Sequence, residues 1–112
     1  MPKYALLFRL KGETIAKAME NPSDRSAVVS RILQEAGGKL ESYYWMFGEW
    51  DGLAIGELPD SMAAAATALA ASSSGTFTQI ATHELIPVDQ INPTLARAKE
   101  LRAGYQPIGE AR

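Results

Sequence analysis

The chain has 112 residues, 46% of them hydrophobic, with a net charge of −2, no cysteine and a single histidine. That length suits one domain with a substantial core, near the size where a partner subunit helps. The composition excludes disulfides, thiol chemistry and thiolate or multi-histidine metal sites within one chain, and the charge gives no electrostatic case for nucleic acid.

Met1–Phe8 is briefly apolar, but Arg9 and Lys11 interrupt it too early for a signal peptide. No 18-residue apolar run exists to span a membrane. The expectation is a soluble, cytoplasmic protein. Tyr4–Leu10 reads as a first strand, aromatic and aliphatic, ending at Lys11-Gly12. Glu13–Glu20 reads as a short helical segment stopped by Asn21-Pro22. Ser23 or Asp24 then caps a second helix, whose stripe is Val28, Val29, Ile32, Leu33 and Ala36. Gly37-Gly38 closes it, because glycine accepts the left-handed conformation of a helix C-terminus.

Lys39–Phe47 is the second strand, rich in Tyr and Trp. Gly48-Glu49-Trp50-Asp51 makes a tight hairpin into a third strand, Gly52–Leu58. Asp60 or Ser61 caps the next helix, and the alanine-rich run Ala63–Ala71 has very high helix propensity. Ser72-Ser73-Ser74-Gly75 breaks it and serves as a linker. An anion would be disfavoured there by the negative end of the helix dipole. Phe77–Ile86 is the fourth strand, closed by Pro87. Asn92-Pro93 reads as N-cap and first position of a last helix, Thr94–Arg102. Residues 1–102 form one domain and 103–112 a flexible tail. No internal repeat is visible.

The order β-α-β-β-α-β plus a C-terminal helix predicts an α+β, ferredoxin-like fold: a four-stranded antiparallel sheet with helices on one face. A bare second face should alternate apolar with polar. Ala5-Leu6-Leu7-Phe8, Tyr43–Phe47 and Leu53-Ala54-Ile55 do not alternate. Exposing that face would leave several hundred Å² of apolar surface, roughly the upper range for a monomer. The chain is therefore expected to pair with itself, sheet on sheet, as a dimeric α+β barrel. The small row Gly52, Ala54, Gly56 suits close approach by helices. The row Asp51, Leu53, Ile55, Glu57 then faces the partner, with Ala5, Leu7 and Arg9 beside it. Arg9 is expected to pair with Glu57.

Gly48 and Asp51 also carry a family resemblance. The chain resembles the GYD domain family, named for a Gly-x-Tyr-Asp stretch, with Trp50 in place of the tyrosine. Pro2-Lys3-Tyr4, Asn21-Pro22-Ser23-Asp24-Arg25, Gly37-Gly38-Lys39, Tyr44-Trp45 and Glu57-Leu58-Pro59-Asp60 match in order over roughly residues 1–90. The resemblance implies a ferredoxin-like fold with dimeric-barrel relatives and no established activity. Trp50 lacks the phenol hydroxyl of the family pattern. A looser similarity runs to the ligand-sensing domains of leucine-responsive-type regulators, which bind amino acids at subunit interfaces. With no DNA-binding helix pair ahead of the domain, this chain would be a stand-alone sensor.

Six side chains are candidate ligand contacts: Arg9, Tyr43, Trp45, Trp50, Asp51 and His83. Asp51 either fixes the hairpin by accepting backbone N–H bonds or acts as a ligand-facing carboxylate. Trp50 either packs or stacks on a ligand. His83, the single imidazole, sits in a strand and is either structural or solvent-facing, or catalytic. Tyr43, Tyr44 and Trp45 cannot all face one way, so one parity serves the core and the other an interface or pocket. Two functions follow. One is a small-molecule-binding protein with a pocket between sheet and helices or at the dimer interface. The other is a cofactor-independent, monooxygenase-like enzyme on a small apolar or aromatic substrate. No cofactor or metal is expected for either.

Overall fold

A computed structural model describes residues 1–110. The elements are β1 (Lys3–Leu10), α1 (Gly12–Glu20), α2 (Arg25–Glu35), β2 (Lys39–Trp45), β3 (Gly52–Glu57), α3 (Ser61–Ser73), β4 (Phe77–Leu85) and α4 (Val88–Arg102). The fold is α+β. Its four strands form one antiparallel sheet in the order β2-β3-β1-β4. The element order is β-α-α-β-β-α-β-α, because Asn21-Pro22 splits the first crossover into two full helices. No helix among the described residues is long and apolar enough to cross a membrane.

Local chemistry sets the helix ends. The Asp24 carboxylate accepts from the Ser26 N–H at 3.0 Å, and the Asp60 carboxylate accepts from Ala63 N–H at 2.8 Å. At the end of α2, Gly38 N–H donates to Leu33 O and Gly37 N–H to Gln34 O, at 2.9 and 3.0 Å. This is a Schellman closure with Gly37 at φ +94°. Leu33 is fully buried, while Val28, counted in the apolar stripe, stays 50% exposed. It lies one residue before Val29, about 100° around the helix and off the packed face.

The core joins Tyr4 and Leu6 of β1, Leu33 of α2, Ala54 of β3, Leu58 and Ala64. Register places Tyr4 opposite Gly56, Leu6 opposite Ala54 and Phe8 opposite Gly52. The small row therefore faces the helices. A Cβ at Gly56 would lie 2.4 Å from Leu33 Cδ2, so the helix packs directly on the backbone of β3.

The opposite face carries Ala5 and Leu7 beside Ile55 and Leu53, with Tyr44 next to Leu53. No described residue covers Tyr44, which is 61% exposed. The expected Arg9–Glu57 pair does not form. Antiparallel register sets Glu57 opposite both Lys3 and Lys39 at one end of the sheet, whereas Arg9 lies at the other end of β1. Six strand positions separate Arg9 from Lys3, about 20 Å. Glu57 instead pairs with Lys39 at 3.5 Å, and a bulge between Leu40 and Ser42 brings Glu41 to within 2.9 Å of Lys3.

The last helix starts earlier than its proline suggests. Helix α4 begins at Val88, directly after Pro87, and runs through Pro93. Pro93 removes one N–H, which would have met the carbonyl of Asp89. The Thr94 hydroxyl donates to Gln90 O at 2.7 Å across the same turn. No residue of α4 is buried. The radius of gyration is 18.0 Å, with extents of 61 × 32 × 23 Å, against about 13 Å for a compact chain of this size. Turns at Gly104, Tyr105 and Glu110 follow the helix. Residues 111 and 112, where the expected tail ends, lie outside the described residues.

Candidate functional site

Between the sheet and helices α1, α2 and α3 lies a cavity of about 620 Å³. That is within the range of small-molecule sites, about 300–1,000 Å³. Its floor is aromatic. The Phe8 ring stacks on Tyr43 with centroids 5.9 Å apart, and Phe77 meets Phe8 edge-on at 5.5 Å. Phe8 belongs to β1 and Tyr43 to β2, with β3 between them. They meet because β3 offers only the small residues Gly52 and Ala54 between them. A Cβ at Gly52 would fall 2.1 Å from Phe8 Cζ.

The walls are aliphatic where α2 contributes Val29, Ile32 and Leu33 and β4 contributes Ile80. Two wall threonines are turned to backbone partners. The Thr67 hydroxyl donates to Ala63 O at 2.8 Å within α3, and the Thr14 hydroxyl donates to Thr76 O at 2.9 Å, tying α1 to the start of β4. No buried side-chain polar atom lacks a partner among the described residues. The cavity interior thus offers a ligand apolar surface.

The polar groups gather at the mouth, where α1 ends and α2 begins. Lys17, Asn21, Ser23 and Arg25 line it. The two charged members are both cations, and neither is in an ion pair among the described residues. Burial pushes the Tyr43 phenol above its ordinary value. The Arg25 charge works against that rise and Asp24 adds to it.

Of the six candidates from sequence, Tyr43 and Trp45 line this cavity. They share one strand parity, and Tyr44 between them points to the open face. Asp51 does not line it. Its carboxylate accepts the Leu10 N–H at 2.8 Å, while its own N–H donates to Phe8 O and its carbonyl accepts from Met46 N–H, both at 2.8 Å. Asp51 therefore stitches the hairpin to β1. Gly48 supplies the turn with φ +122°. Trp50 is half-buried beside it, outside the cavity lining.

Arg9 and His83 are exposed on the open face, opposite Gln79 and Ala5 respectively. Four strand positions, about 13 Å, separate them. No group of three or more His, Asp or Glu residues could hold a metal among the described residues.

Sequence patterning does not single out Lys17, Arg25, Phe8 or Phe77 as site residues. The available signal was two basic residues flanking the Asn21-Pro22 break, since that break folds the ends of α1 and α2 over one opening. A family model, the GYD domain, matches residues 4–95. No curated protein matches the chain.

Proposed function

From the premise that the chain belongs to the GYD domain family, we propose that it is a small-molecule-binding protein whose ligand occupies the cavity between sheet and helices. One observation carries this: about 620 Å³ of space over the Tyr43–Phe8–Phe77 floor, in a body with only a modest buried core. A fold that needed only stability would fill such a volume with side chains, because interiors pack to crystal-like density.

The test is a neutral, polarity-sensitive dye such as Nile red. It should bind the purified protein and be excluded by Ala71→Trp, which fills the α3 side of the cavity. Equal dye binding by that variant would overturn the assignment.

The body is ferredoxin-like, and the open sheet face supports a homodimer of the dimeric α+β barrel kind. Leu7, Leu53, Ile55 and Tyr44 share that face, and none of the described residues covers Tyr44. A two-fold axis makes such a patch self-complementary. The enzyme alternative has weaker support. It needs Asp51, Arg9 or His83 to converge on one point. Asp51 is held by the Leu10 N–H, and the other two stand on the far side of the sheet from the cavity.

A further inference from the structure

We infer that the ligand is an apolar molecule ending in a carboxylate, its body on the aromatic floor and its head at Lys17 and Arg25. The inference rests on the binding reading and names the chemical class that the same cavity selects.

Three observations converge. First, the lining divides by position: aromatic and aliphatic within, polar at the junction of α1 and α2. An occupant matched to it has one polar end. Second, the charged lining residues are one lysine and one arginine, with no acidic residue among them. The neighbouring Asp24 carboxylate is engaged by the Ser26 N–H and hydroxyl, at the start of α2. Third, neither cation is in an ion pair among the described residues, so no glutamate or aspartate there competes for an incoming anion. Two unpaired cations at the mouth of an apolar cavity favour an anion over a neutral or cationic head. The guanidinium fork of Arg25 matches a planar carboxylate with two parallel N–H donors.

The mouth is open to water, so the charge contribution is moderate. Exposed pairs are individually weak and screened by salt. The expected preference for a carboxylate over an uncharged head on the same body is about five- to tenfold at low salt.

The experiment displaces Nile red with decanoate and with decanol, on the wild-type chain and on K17Q/R25Q. The wild type should prefer decanoate by about five- to tenfold at low salt, and the preference should shrink at high salt. The double variant should lose the preference, with each competitor referred to that variant's own dye affinity. Equal displacement by both competitors on the wild type, or a preference retained by the double variant, would overturn the carboxylate assignment while leaving the cavity assignment intact. Failure of the dye to bind the wild type would overturn the binding reading itself.

Discussion

The Phe8 and Tyr43 rings stack at 5.9 Å although a whole strand runs between the strands that carry them. The small row on β3 makes this possible and also leaves the cavity open. The same residues therefore set both the aromatic floor and the space above it.

Gly52→Val should break that arrangement. The new Cβ would land on the Phe8 ring and force it off its place in the floor. Overpacking of this kind costs typically 1–3 kcal/mol, about that much in urea denaturation here. Dye binding should fall with it, because the displaced ring moves into the cavity. An unchanged denaturation midpoint with full dye binding would refute the account.

Asp51→Ala should destabilise the fold by about 1–3 kcal/mol, since the Leu10 N–H loses its acceptor in a half-buried position. Asp51→Asn should cost less, because an amide oxygen can still accept. Both variants should bind dye normally once folded. Loss of binding in a stable Asp51→Asn protein would return this carboxylate to the site.

Stability should decline in alkali. Burial first, then the hydrogen bond from its hydroxyl to Glu84 at 3.1 Å, raises the Tyr4 phenol above its ordinary value. A raised folded-state value means the folded chain holds its proton more tightly. The contribution is complete below about pH 10, the unfolded value, and disappears as pH climbs through the folded one. Tyr43 adds in the same direction through burial. Lys3 does too, through the Glu41 hydrogen bond. Tyr4→Phe should flatten, without abolishing, the alkaline limb of a stability–pH curve. A curve superimposable on the wild type would rule out the linkage.

Light scattering at micromolar concentration should give about twice the 12.1 kDa chain mass. Leu53→Asp places a charge on the open sheet face and should shift the population to monomer. A wild-type chain that stays monomeric would sink the dimer.

Most of the fold was legible in the sequence because its determinants are local. Caps at Asp24 and Asp60, the Gly37-Gly38 stop and the small row on β3 act through nearest neighbours. Long-range register was not legible. Arg9 and Glu57 share a face, but only the paired strands reveal that they lie at opposite ends of it. The start of α4 misled for a related reason. Pro93 looks like a first turn, yet a helix tolerates one missing donor when its earlier turn is already formed. The site was the least legible part. Its mouth draws Lys17 and Arg25 from two helices, and its floor draws Phe8, Tyr43 and Phe77 from three strands. No single window of sequence contains that set.

Helix α4 has 15 residues and buries none of them. Helices of that length are marginal in water when nothing packs against them. Its helicity should therefore respond to association, rising when an outside surface receives Val88, Leu95 and Leu101. The helical signal in circular dichroism should then track protein concentration, reporting association from a part of the molecule that its own core does not hold.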